Sequence, residues 1–367
     1  MENIKSYIPI LRWRPAEMAA VAKLFSKDRE NITPLIEFIM PAPRTDKNDY
    51  KKILENSKDV FKKRLPEVAE QMVKYCGRDV VFIDVHLLDG DIRAPMLAHI
   101  LSSANSLDLF SIPVVYIIPV MSTDADMETR KIAVEYAQKN KAGLCIRIDE
   151  SHFSDKNLPD YIEKFLKENK LSIENTDILI DLKIVDKNTT TDSVLEKLAS
   201  IPQIEKWRSV IMSGGSFPED LSDFEKHTHN NIERFDWKLW LDIFKNKKIK
   251  RKPIFSDYTI QHPIHHGHVV GVNTSASIRY TDEEEWKIWR GEGLRNERGA
   301  GHKQYPAQAQ LLVKQKYFKG ADYSYGDGYT ADRAKPENTK TGNPTTWLTA
   351  GINHHITLVS HQISNLF

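Results

Sequence analysis

The chain has 367 residues, enough for one large domain or two ordinary ones around a sizeable hydrophobic core. Its 52 Lys+Arg against 51 Asp+Glu leave a formal charge of +1, which argues against a nucleic-acid coat or a polybasic membrane binder. Two distant cysteines, Cys76 and Cys145, exclude a disulfide framework or a thiolate metal knot and fit a reducing cytoplasm.

No apolar run approaches the ~18–20 residues of a membrane span, and "MENIKSYIPILRWRP" lacks the apolar core of a signal peptide. The expectation is a cytoplasmic protein with no membrane partner. Over residues 1–258 a short apolar run alternates with a longer amphipathic stretch. The runs are "YIPILRW" (7–13), "ITPLIEF" (32–38), "VVFIDV" (80–85), "IPVVYIIPV" (112–120), "GLCIRID" (143–149), "DILIDLKIV" (177–185), "SVIMSGG" (209–215) and "KPIFSDY" (252–258). Their Val, Ile and Phe content and length mark eight buried strands.

The stretches between them carry helical periodicity. "RPAEMAAVAKLF" opens with Pro15 and places Met18, Val21, Ala22 and Phe25 on one face. "DYKKILENSKDVFKKRLPEVAEQMVKY" reads as one long helix bent or restarted at Pro66, and five shorter helices follow the later strands. Eight strand–helix units over roughly 260 residues predict an α/β fold, a (β/α)8 TIM-like barrel. An open doubly wound sheet is the alternative, although no GxGxxG follows any strand.

Residues 259–343 are richer in Gly, Asn, Thr and charge and form a long insertion between strand eight and a final helix. Within it "GHVVGVNTSASIRYT" alternates like a strand and "YPAQAQLLVKQKYF" looks helical. In the last segment, 344–367, Asn343–Pro344 supplies an N-cap and first turn. Leu348, Ile352, Ile356, Val359, Ile363 and Leu366 then recur at helical steps, so this helix completes the barrel. It carries His354 and His355. Adjacent helix residues point about 100° apart, so the pair is read as structural rather than metal-binding, with His354 turned toward the insertion.

In such a barrel, ligands meet the C-terminal strand ends. Those ends hold Arg12, Glu37, Asp84 with His86, Arg147, Asp181 with Lys183, and Asp257. Glu37, Asp84, Asp181 and Lys183 are the candidate catalytic groups, against the alternative of a salt-bridge network at the rim. Glu37, Asp84 and Asp181 offer oxygens from three strands to a hard cation such as Mg²⁺, without diagnostic spacing. The loop "MSGGSFPED" brings Ser213, Gly214, Gly215 and Ser216 to the end of strand seven, where barrels often bind phosphate. A turn capping the next helix would look similar. "HPIHHGH" (262–268) is dense in histidine but lacks a carboxylate-bearing helix motif, and is read as a hydrogen-bonded loop. In the insertion, Arg279, Tyr280, Arg290 and Tyr325 could clamp a phosphate-bearing ligand or form a protein interface.

"YIPILRWRPAEMAAV", "ITPLIEF", "SGGSFP" and "GNPTTWLTAGINHHITLV" together resemble the beta protein family of phages, satellite phages and bacterial genomes. The resemblance implies a role in phage–host conflict, with a protein partner encoded in the same locus that the chain controls or neutralises. It supplies no catalytic residues. The competing expectation is a barrel hydrolase or lyase acting on a phosphate-bearing nucleotide or nucleic-acid end. Direct DNA binding is disfavoured by neutral charge and the lack of a reading helix.

Overall fold

The computed structural model describes residues 4–46, 49, 51–77, 79–104, 115–267, 272–296 and 300–366. Its strands, in chain order, are β1 (Tyr7–Arg12), β2 (Leu35–Glu37), β3 (Arg44–Thr45), β4 (Ile53–Glu55), β5 (Val80–Asp84), β6 (Tyr116–Ser122) and β7 (Leu144–Asp149). They continue with β8 (Thr176–Ile184), β9 (Ser209–Gly215), β10 (His229–Glu233), β11 (Ile254–Asp257), β12 (Ser275–Thr281) and β13 (Glu285–Gly293). Eight close into a parallel barrel in the order β1-β11-β9-β8-β7-β6-β5-β2, the TIM-like fold read from the eight apolar runs. Each is followed by a helix packed outside, the last being Pro344–Ser364 after β11.

Two layers of core follow from strand alternation. Ile8 and Ile10, Leu35, Phe82, Cys145, Leu179 and Ile211 point inward and fill the barrel. Leu11, Ile36, Ile83, Ile146, Ile180 and Met212 point outward and join the helices in one larger core. The inner column continues upward through positions two residues on: Arg12, Glu37, Asp84, Arg147, Asp181 and Ser213, all buried. The barrel therefore ends in a charged storey.

Three details differ from the sequence reading. The helix expected from Asp49 begins at Ser57, capped by the Asn56 side chain accepting from the Asp59 N–H (2.9 Å), because β3 and β4 form a short hairpin before it. The insertion is not confined to residues after 258: β10, from the connection after β9, pairs antiparallel with β13, making a sheet β10-β13-β12. A helix at Tyr325–Arg333, unread in the sequence, packs on the C-terminal helix. The insertion sheet also docks on that helix through β12, so the helix is buried on nearly every side rather than along one stripe.

The double histidine is structural in the way its spacing suggests. His354 bonds through Nδ1 to Asp327 (2.7 Å) and through Nε2 to the Thr281 carbonyl (2.8 Å), both in the insertion. Its neighbour turns the other way: His355 Nε2 donates to Asp257 (2.8 Å) while Nδ1 lies 2.9 Å from the Thr281 hydroxyl.

Candidate functional site

At the barrel mouth the charged storey converges on one guanidinium. Arg147 Nη1 lies 2.9 Å from Glu37 and 2.6 Å from Asp84, and Nη2 lies 2.6 Å from Asp181. Nη2 also meets the Tyr258 hydroxyl (2.8 Å), which donates to Asp181 (2.7 Å). Lys183 Nζ reaches Asp181 from the open side (2.9 Å), and Ser213 Oγ donates to the other oxygen of the same carboxylate (3.0 Å). Arg12 stands 3.8 Å from Glu37, and its Nη2 donates to the carbonyls of His262 and Pro263, fastening the chain after β11 over the rim.

Three strands end by one local device, and the same device interrupts β8 after Asp181. The side chain of Asp84 accepts the His86 N–H (2.9 Å), Asp149 that of Ser151 (3.1 Å), Asp181 that of Lys183 (3.0 Å) and Asp257 that of Thr259 (3.0 Å). This turn, an aspartate closing on the backbone two residues later, stops a strand without help from a glycine. At two of them it holds a non-glycine residue in the left-handed region, Lys183 at φ 55° and Thr259 at φ 56°. Strain of that kind concentrates at functional sites.

The charges set the protonation states. Burial alone would raise the Asp84 carboxyl, but His86 and Arg147 outweigh it and hold the group well below the usual carboxylate range. Asp181 is likewise lowered: Lys183 and Arg147 overcome its burial. Both stay ionised and make weak bases at neutral pH. Two other buried carboxyls, absent from the sequence reading, are poised near neutrality. Burial pushes Glu17 up to about 7 against the opposing pull of Arg12 and Arg14. Burial does the same for Asp236, also about 7, with Arg234 opposing. Neither ends an apolar run; each lies on the first turn of a helix, so strand-end logic passes them over.

The expected cation triad is rearranged. Asp181 is taken up by Arg147, Lys183 and Tyr258, while Glu37, Asp84 and His86 bring one ligand atom each within 4.8 Å of one another. His86 and Lys183 are 28% and 26% exposed and are the groups of this cluster that solvent reaches. Two carboxylates and an imidazole suit a divalent transition metal better than Mg²⁺, with Arg147 opposing any cation there.

The other expected residues are placed as follows. Gly214 and Gly215 face their own chain: a β-carbon would lie 2.5 Å from Val185 Cγ2 at the first and 2.7 Å from Pro263 Cγ at the second. The Ser216 hydroxyl accepts the Asp236 N–H (2.9 Å), capping the helix Phe235–Lys245. Asp257 points outward rather than into the mouth, since alternation along β11 sends Tyr258 inward; Asp257 bonds instead to His355 and Tyr7. Tyr280 is buried in the insertion, donating to Asp327 (2.9 Å) and stacked on His354 at 3.9 Å. Tyr325 lies under Lys23 at 4.3 Å. Arg279 and Arg290 line a separate pocket on the insertion sheet. Of the histidine-rich loop, His265 lies 3.4 Å from Arg14 and His266 pairs with Glu219; His268 lies outside the described residues.

A closed parallel barrel, a buried ion cluster at its strand ends and a separate sheet spliced into its last connection define a TIM-like barrel protein with an elaborated final unit. The chain belongs to the Beta protein family, whose family model matches residues 7–361, from the first barrel strand into the last helix. Barrel and insertion thus fall within a single family unit. No curated protein matches the sequence. Among the described residues, no helix is long and apolar enough to cross a membrane.

Proposed function

We propose that this protein is a cytoplasmic, prophage- or phage-encoded component of a phage–host conflict locus that binds and restrains a toxic partner protein, acting by contact and not by turnover. One observation carries the choice between contact and turnover: Asp84 and Asp181, two of the carboxylates expected to act at the mouth, are hydrogen-bonded to Arg147. With Asp84 and Asp181 held well below their ordinary range, neither serves as a general base near neutral pH. The conflict role itself rests on family membership and the motifs at the two ends of the chain.

The test is growth rescue in cells co-expressing the neighbouring toxic gene product. Glu37→Gln and Lys183→Met, checked for folding by circular dichroism, are expected to rescue like the wild type. Loss of rescue in both folded variants would favour turnover. The second reading, a hydrolase or lyase acting on a phosphate-bearing ligand, is supported by the Glu37–Asp84–His86 grouping. It requires that Mn²⁺ or Zn²⁺ bind the wild type and not His86→Ala, and that the metal-loaded protein cleave a nucleotide.

A further inference from the structure

The insertion sheet carries a second concave site away from the mouth cluster. Along β12, alternation puts Ser275, Ser277 and Arg279 on one face, while Ala276, Ile278 and Tyr280 pack into a small apolar core on the other. The register Ser277↔Arg290 brings Arg290 of β13 to the first face. Above that face, the loop after β9 and the start of the C-terminal helix enclose a pocket of about 520 Å³. This volume lies within the usual span for small-molecule sites.

Its two guanidiniums bond to backbone carbonyls, as those of Arg93, Arg130 and Arg251 do elsewhere in the chain. Arg12, Arg29, Arg147 and Arg208 each stand near a carboxylate. Arg279 instead donates to the Ile260 carbonyl (2.8 Å) and lies 4.7 Å over the Phe217 ring. Arg290 donates to the carbonyls of Ser222 (2.7 Å) and Phe224, and its buried Nε has no hydrogen-bond partner. Among the described residues neither is ion-paired. Burial without a counter-charge pushes the Arg279 guanidinium down to about 10. Two carboxylates share the wall: Asp220 accepts from the Ser222 N–H (2.6 Å) and feels Arg290 at longer range, and Glu219 pairs with His266 (3.3 Å). The positive end of the 21-residue final helix adds to the same field.

A half-buried guanidinium whose hydrogen bonds all go to carbonyls can still pair with an anion, and guanidinium forks match phosphate oxygens in pairs. We propose that this pocket binds a small phosphate monoester, its phosphate held between Arg279 and Arg290 and its organic part against Leu221, Val272 and Leu348. The proposal is independent of whether the mouth turns over a substrate.

Isothermal titration of the full chain with AMP, inorganic phosphate and adenosine tests it. AMP and phosphate are expected to bind, AMP the more tightly, and adenosine not to bind. Arg290→Gln and Arg279→Gln should each weaken AMP about tenfold or more, whereas the exposed Arg44→Gln should not. Because Arg279 also fastens the segment at Ile260, Ser277→Asp provides a variant that keeps both guanidiniums and should still repel AMP. Absence of AMP and phosphate binding below about 1 mM, adenosine binding equal to AMP, or AMP affinity unchanged in Arg290→Gln and Ser277→Asp would each overturn the assignment.

Discussion

The barrel mouth and the C-terminal helix both bury charge, and they are built on opposite plans. At the mouth, carboxylates from β2, β5 and β8 gather around a single hub, Arg147, with His86 and Lys183 left facing solvent. Along the helix the pairs are spread out: His354 meets Asp327 of the insertion, His355 meets Asp257 of β11, and His361 meets Asp28 near the N-terminus (2.8 Å). The hub concentrates desolvation at one point, where removing one member strands several others. The spread pairs act as separate fasteners joining the helix to three parts of the chain. Buried ions seldom add net stability, so their arrangement reports what they are for.

The sharpest way to break the comparison is to remove the hub. Arg147→Met takes the shared cation away from three buried carboxylates, leaving Asp181 to Lys183, Asp84 to His86 and Glu37 to the more distant Arg12, and is expected to cost about 3–5 kcal/mol or abolish folding, measured by urea denaturation. Next comes pH. Asp236 has its folded value raised to about 7, so its contribution is fully present below its unfolded value near 4 and is lost as pH rises through 7. Relative to Asp236→Asn, the wild type should lose stability between pH 4 and 7 by an amount on the order of 3 kcal/mol. A parallel profile for the two proteins would show that Asp236 is not held protonated.

A single fastener should cost less than the hub. His355→Ala removes one pairing while Asp257 keeps the Tyr7 hydroxyl and the Thr259 N–H, so about 2–3 kcal/mol is expected. Equal losses for Arg147→Met and His355→Ala would erase the distinction between hub and fastener. The smallest effect is at the rim: Gly215→Ala sets a β-carbon against Pro263, for about 1–2 kcal/mol, measured as a lowered melting temperature.

Much of this architecture was legible in the residues. The eight apolar runs all became barrel strands because continuous Val, Ile and Phe suit a strand covered on both faces. The mouth residues Arg12, Glu37, Asp84, Arg147, Asp181 and Ser213 were legible because they continue the inward column at period two. The same rule, applied one residue off in "KPIFSDY", selected Asp257 and passed over Tyr258. Arg147 as a shared counter-ion was not legible, since three carboxylates on separate strands look alike whether a metal or a guanidinium lies between them. β10 escaped because "HNNIE" is polar on its exposed positions, and its pairing with β13 spans a long gap in sequence. The repeated turn-forming aspartate was present in "VVFID", "CIRID", "ILID" and "IFSD" and could have been read as a turn signal.

Thr349 and Asn353 donate to the backbone carbonyls of Ala16 and Ala20, each across 333 positions, and β1 closes the ring only by pairing with β11. During synthesis on a ribosome, the first strand can therefore join β2 early while its other edge waits for β11, at Ile254–Asp257, to emerge. Ring closure becomes a late event, slow by virtue of its long-range topology, and the waiting edge is the place where a chaperone would be needed.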